Sequence, residues 1–403
     1  MKSTAEENQT KGQRKPYLDR NLQIIFGVTL MAILGVASIA PVLPEIRDAF
    51  GISDQMVVLL VTFFTLPGVI LTPVLGILAD RYGRKKILVP SLILFGISGG
   101  ACAFASDFGI LLILRFFQGF GAASLGVLNI TVIADLYSGE QRTMAMGYNV
   151  SVQSVGTGSW PLIGAFLGDL GWFFPFLLPL ISIPIGLVVL LSLKNPEPKI
   201  EKSLKDYFGG IRRVVGNYRV IILFVAGIIN FFLIYGVLIT YFQFYLAGSF
   251  GVERRIRGVV LAVVSYVAAL ISSQIERFSK RYTKWWLIKS SYILFAVALV
   301  IIPFVTEIWL FSIPILIFGF AMGILMPIIV DILTGFAPKK QRAAVMSIYG
   351  MTLRLGQSLG PVVMSLFFIL GGISLVFYAG ACFSIIMFTL MALIIRNNST
   401  MDT

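Results

Sequence analysis

The stretch Gly76-Ile77-Leu78-Ala79-Asp80-Arg81-Tyr82-Gly83-Arg84-Lys85-Lys86 decides how this chain is read. Before it, residues 55–79 form an apolar run long enough to cross a bilayer, and after it residues 87–105 form another. Between the runs lie four basic residues, one acid and Gly83, which permits a tight reversal. Such a segment is a short loop joining two membrane helices, and its positive charge marks the face on which it stays. Gly76 allows the helix before the loop to approach a neighbour closely. Asp80 suits the positive N-terminus of another helix, and Arg84 can reach a second acid.

The same plan runs through all 403 residues. Apolar residues make up 57% of the chain and charged residues 13%, about half the ~25% of soluble domains. With a mean hydropathy of +0.91, most of the chain has lipid as its solvent. Runs of membrane length recur near 22–43, 55–79, 87–105, 109–136, 142–167, 172–193, 220–246, 257–275, 286–305, 309–333, 343–370 and 373–395. The expected fold is an all-α membrane protein with 12 transmembrane helices. No cleavable signal pattern precedes the first span.

The net charge of +13 is a topology signal, because 25 of the 32 Lys and Arg fall on one face of this arrangement. Only Arg47, Arg254, Arg255 and Arg257 fall in loops on the other face. This asymmetry predicts a multi-pass protein of the plasma or inner membrane with both termini cytoplasmic, and it argues against nucleic acid as a partner. The chain has no histidine, and Cys102 and Cys382 lie far apart in apolar runs, so no metal centre is expected. Catalysis lacks its usual groups, no phosphate-binding Gly-x4-Gly-Lys-Ser/Thr loop is present, and the tails offer no output surface for a receptor.

The predicted organisation is a tail over 1–21, a six-helix bundle over 22–193, a linker over 194–219, a second six-helix bundle over 220–395 and a tail over 396–403. In the linker Leu204, Phe208, Ile211, Val215 and Tyr218 fall at helical spacing among Lys205, Arg212 and Arg213. It reads as an interfacial helix or as a solvated basic connector. The bundles resemble each other at an offset of 200. Gly119-Phe120 matches Gly319-Phe320, and Leu125, Gln141-Arg142, Met146, Gly156 and Pro161 match their counterparts. Two homologous halves with a site between them near the midplane are a known transporter plan.

The 76–86 loop resembles, at every fixed position, the signature of the major facilitator superfamily. That resemblance implies a fold of two pseudo-symmetric six-helix bundles. It also implies that Arg84 pairs with Asp135 at the end of span 4 in a charge relay with Asp80, Gly76 and Gly83 that holds the cytoplasmic gate. The second-half counterpart, Gln274 to Arg281, is degenerate. Span 4 carries Leu111-x3-Arg115-x2-Gln118-Gly119-x-Gly121, similar to a second motif whose buried arginine is linked to proton coupling. An arginine this far inside a span marks a functional site or reaches to the outer surface. Span 5 carries Gly147, Gly156, Trp160-Pro161 and Gly164 and resembles the antiporter motif of the twelve-helix drug–proton antiporters, with Trp160 in place of the usual glycine. Its small residues are expected to bring spans 5 and 8 together.

A proton-coupled transporter needs a titratable group in reach of both sides. Asp331, in the apolar run Pro327-Ile-Ile-Val-Asp331-Ile-Leu, is the candidate proton carrier, with a structural gate as its other reading. Arg354, about mid-span, is expected either to neutralise an anionic or zwitterionic substrate group or to be held by carbonyls and Gln357. The resemblance implies that spans 1, 4, 7 and 10 line the cavity. Asn129, Asn149, Gln153, Asn230, Tyr235, Met322 and Met326 then join Arg354 and Gln357 as candidate substrate contacts. The expected function is export of lipophilic or amphipathic compounds in exchange for protons. The alternative is a specific exporter or symporter for a sugar, metabolite or lipid-like solute. The resemblance implies a monomer in the bilayer, with the proton gradient and no cofactor as its energy source.

Overall fold

The computed structural model describes residues 18–193, 217–336 and 342–396, apart from the side chains of Asp80, Glu140, Arg342, Ala343, Ala344, Ser347, Ile395 and Arg396. Both tails, most of the linker with its expected interfacial helix, and Gln341 of the repeat lie outside the described residues.

All described elements are helical. The first half contains α1 (Arg20–Ala37), α2 (Leu59–Tyr82), α3 (Arg84–Ala101), α4 (Phe108–Leu136), α5 (Gly139–Gly168) and α6 (Phe174–Ser192). The second contains α7 (Tyr218–Phe250), α8 (Arg254–Ser273), α9 (Lys284–Ile301), α10 (Ser312–Phe336) and α11 (Arg342–Arg396). Local chemistry sets several starts. Asp19, Asp107 and Thr283 accept from free backbone N–H groups in the first turns of α1, α4 and α9. The turn between α2 and α3 is made by Gly83 at φ 103, a conformation that an L residue rarely adopts.

Among the described residues, ten segments are long and apolar enough to cross a membrane. One of them, Ile348–Ile394, is 47 residues long and lies within α11, where Gly371 and Gly372 (φ 70) leave helical geometry and separate two helices. The 30-residue α5 is not among the ten segments. Polar residues along it, among them Asn149, Gln153 and Thr157, lower its hydropathy although its length suffices. Side chains such as Ile70, Phe104, Leu191 and Leu370 are more than two-thirds exposed on the outside of the bundle. An apolar belt of that kind needs lipid against it.

The halves meet along α2 with α11 and α5 with α8. At the α2–α11 seam Thr62 donates to the Ser358 carbonyl at 3.1 Å, and the Thr65 and Ser358 hydroxyls lie 2.8 Å apart. At the α5–α8 seam Tyr266 lies against Gly158, where an added Cβ would come within 2.6 Å of the ring, and the Ser159 hydroxyl reaches Tyr266 at 3.0 Å. Within α7 the stretch Leu233–Tyr241 is wound as a π-helix, a local defect often found at functional sites.

Candidate functional site

The two ends of the seams differ. At the end away from the basic loops, Arg254 and Arg257 open α8, where positive charge opposes the helix dipole and needs acids nearby. Those acids come from the other half. Glu45, on the short helix Leu43–Phe50 after α1, pairs with Arg257 and lies 3.3 Å from Arg254. Asp169, at the end of α5, pairs with Arg255 and lies 3.7 Å from Arg254, which also donates to the Gly168 carbonyl. Arg257 is 1% exposed, so these pairs seal the seam.

Toward the basic end the halves separate. On α5, Gly147 shares a face with Gly158 and Ala165, which touch α8, yet a Cβ on Gly147 would meet nothing within 4 Å. Among the described residues a Cβ on Gly76 of α2 or on Gly350 of α11 would likewise meet nothing within 4 Å, whereas Gly68 is met by the Arg354 stem at 3.1 Å. The described residues therefore form an opening between the halves that starts at the basic end and closes near the level of Gly68 and Arg354.

The ion pair expected between Arg84 and Asp135 lies at that open end. Arg84, nearly buried, donates to Asp135 at 3.1 Å, within the first half. The side chain of Asp80 lies outside the described residues. Gly76 corrects the sequence expectation. Among the described residues a Cβ there would meet nothing within 4 Å, so the close helix contact expected of it is not seen at this end.

Arg115 is completely buried and does not reach the outer surface. It donates to the carbonyls of Leu60 (3.2 Å) and Gly35 (2.8 Å) and to Gln118 (2.7 Å), with the Phe64 ring 4.3 Å from its guanidinium carbon. It thus joins α4 to α1 and α2.

Asp331 is not desolvated as its apolar run suggested. Its side chain is 57% exposed and lies 2.6 Å from Lys284. The run ends only one turn beyond it, and the carboxylate turns to the helix end instead of the interior.

The span 5 residues also divide differently from the expectation. Gly156, Trp160 and Gly164 face α1 instead of α8: Trp160 donates to the Leu30 carbonyl at 3.0 Å, and a Cβ on Gly164 would overlap the Ser38 carbonyl. The close approach to α8 is made by Gly158, Ala165 and the Pro161 carbonyl against Gly258. Trp160 therefore does not disturb the α5–α8 seam.

Two buried polar clusters lie inside the halves. In the first, Asn129 donates to Thr29 at 2.9 Å and Thr29 to Asn149 at 2.6 Å, joining α4, α1 and α5. In the second, Asn230 donates to the Met326 sulfur at 3.0 Å and the Tyr349 hydroxyl lies 3.8 Å from it, joining α7, α10 and α11. Asn149 and Tyr349 stand at the 200-residue offset, so the clusters occupy equivalent places. The amide oxygen of Asn230 is buried without a partner. Gln153 is exposed, while Met322 and Tyr235 are half-buried and Tyr235 stacks on Phe231. Arg354 donates to Gln357 at 3.2 Å.

The sealing residues Glu45, Asp169, Arg254 and Arg257 were not singled out from the sequence. Their one visible signal is a cluster of three arginines on the face that otherwise lacks basic residues.

The family model of the Major Facilitator Superfamily matches residues 25–288 and 223–401, and the chain belongs to that superfamily. It is a multi-pass membrane transporter and not an enzyme. Among characterised relatives, the bacillibactin exporter of Bacillus subtilis is 24% identical over 361 residues, covering 85% of this chain and 89% of that protein. Multidrug resistance protein 1 of the same organism is 26% identical over 267 residues, 66% of this chain and 67% of its own length. A bacterial homologue of the human lysosomal transporter Spinster, solved in an inward-facing, unoccupied conformation, superposes with a TM-score of 0.75 over 94% of this chain and 95% of its own. At 18% identity that last likeness speaks for the fold alone.

Proposed function

We propose that this protein is a twelve-span secondary exporter, which moves lipophilic or amphipathic compounds out of the cell in exchange for protons by alternating access. The observation that carries the reading is the asymmetry of the seams. Acid–arginine pairs between the halves close one end, while the same helix faces are parted at the other. A transporter caught open to one side has this form. The basic loops favour the cytoplasm for the open end, and with it both termini in the cytoplasm of a plasma membrane. The exporters among the relatives favour the outward direction. The protein acts as a monomer, with a central path that is complete in one chain.

Glu45 is the group best placed to couple protons to the movement. Its partners Arg254 and Arg257 belong to the other half, so the outer end opens only when these pairs part. Asp331, by contrast, pairs within its own half, with Lys284, and Arg115 is held by carbonyls.

Proton movement in proteoliposomes, followed as lipophilic cations, neutral amphiphiles and anions are offered under an imposed pH gradient, tests the reading. Proton flux opposite in sign to substrate supports it. Flux in the same direction would make the protein a symporter, and no proton movement with any compound would exclude coupled export of those compounds.

A further inference from the structure

Resting on the exporter reading, we propose that Arg354 is the receptor for a negative charge on the substrate, so that the exported compounds are amphipathic anions with a carboxylate, sulfonate or ionised phenol on an apolar body. Arg354 lies 12 residues along α11, about 18 Å from its start and near the middle of a membrane-length helix. A cation at that depth is costly and needs a counter-charge or acceptors. Among the described residues its side-chain acceptor is one neutral oxygen, Gln357 Oε1 at 3.2 Å, and none of their ion pairs includes it. Nor can the rest of the sequence supply an acid at that level, because all 19 Asp and Glu fall in loops, in tails or within the first or last turns of helices.

Arg115 shows what a structural arginine looks like in the same protein. Three acceptors and an aromatic face enclose it, it has no exposure, and one terminal nitrogen is buried without a partner among the described residues. Arg354 is mostly buried but keeps part of its surface exposed, and its stem rests on Gly68 of the other half, at the level where the opening from the basic end closes. Its guanidinium is therefore at the apex of the path, with donors left for a bidentate anion. The half-buried Tyr235, close enough to interact electrostatically with it, stacks on Phe231 from the π-wound region of α7, and Met326 of α10 contacts Asn230 of the same helix α7. These side chains form an adaptable apolar wall for the body of the compound. A lipophilic cation would meet an uncompensated positive charge at this point. An anion would neutralise it and so favour repacking of α2 against α11, which ties occupancy to movement of the halves.

The test uses a matched pair of probes with the purified full chain in nanodiscs, blanked against empty nanodiscs. One is 8-anilino-1-naphthalenesulfonate; the other is N-phenyl-1-naphthylamine, the same ring system without the sulfonate. Rhodamine 6G serves as the lipophilic cation. Wild type is expected to bind the sulfonate at least about tenfold more tightly than the amine, the gain of one charge-assisted contact. Arg354→Gln abolishes that preference, while Arg354→Lys retains most of it. Unchanged binding of the amine in both variants shows that the site is still folded. A preference that survives Arg354→Gln, a wild type that favours rhodamine 6G, or a wild type that binds the sulfonate no better than the amine overturns the inference. Proton-linked uptake of the same probes separates the two claims. Arg354-dependent binding without proton-linked movement leaves the anion site standing and removes the exporter reading. Movement without Arg354-dependent preference does the reverse.

Discussion

Arg84 and Lys284 hold equivalent places in the two halves: each is the first residue of its helix, 200 positions apart, and each reaches an aspartate near the end of the following helix. Arg84 lies 3.1 Å from Asp135, and Lys284 lies 2.6 Å from Asp331. The relationship makes Asp331 the ion-pair counterpart of Asp135 in its own half. Burial separates the pairs, because Arg84 is 7% exposed whereas Lys284 is 48% exposed.

That difference sets the cost of removing each acid. Asp331→Asn breaks an exposed pair and is expected to change unfolding stability by less than about 1 kcal/mol. Asp135→Asn removes the carboxylate from a nearly buried guanidinium and is expected to cost about 2 kcal/mol. Thermal unfolding in detergent compares them directly. Proton flux in proteoliposomes is expected to survive Asp331→Asn, and its loss with folding intact would return Asp331 to the role of proton carrier.

Glu45→Gln tests the outer seal. The substitution leaves Arg257 buried without its carboxylate, in a site where its Nε and one terminal nitrogen already lack partners. Loss of a partner from a buried pair costs about 3 kcal/mol. The closed outer end is expected to lose population, lengthening the distance between spin labels at Leu170 and Glu253, and proton coupling is expected to weaken. An unchanged distance distribution would show that the pair does not hold this end.

Two glycine substitutions are expected to separate stability from movement. Gly164→Ala forces a methyl group into the Ser38 carbonyl and is expected to destabilise the fold by about 1–3 kcal/mol. Gly76→Ala meets nothing here and is expected to leave stability within about 0.5 kcal/mol while slowing transport, since the α2 face must close when the other end opens. Unfolding temperature and uptake rate, measured on the same preparations, check both.

Arg115→Lys keeps the charge but loses the fork that spans α1 and α2. It is expected to cost about 3 kcal/mol, because an ammonium on a shorter reach leaves buried carbonyls without donors. A variant as stable as wild type would show that the carbonyl contacts do not hold these helices together.

The helical plan was legible because membrane length and loop charge are local properties. Gly371 and Gly372, the residues between the last two expected spans, are the ones that leave helical geometry. The Arg84–Asp135 pair was legible because the loop carries its own signature. Lys284–Asp331 was not: the second-half loop has lost that signature, and an apolar run does not say which way one carboxylate turns at its end. The Glu45–Arg257 seal joins residues 212 positions apart in sequence, and composition alone sees only a few stray charges on the sparse face. Likewise Gly156 and Gly164 carry small-residue spacing, but spacing does not say whether that face meets α1 or α8.

The account stands most directly on the two ends of the α5–α8 seam moving in opposition. Double electron–electron resonance on two doubly labelled proteins reads this: labels at Leu170 and Glu253 report the sealed end, and labels at Met144 and Glu276 report the open one. On addition of a transported compound, the first distance is expected to lengthen as the second shortens. Two distances that stay fixed, or that change in the same direction, would contradict alternating access by rocking of the halves.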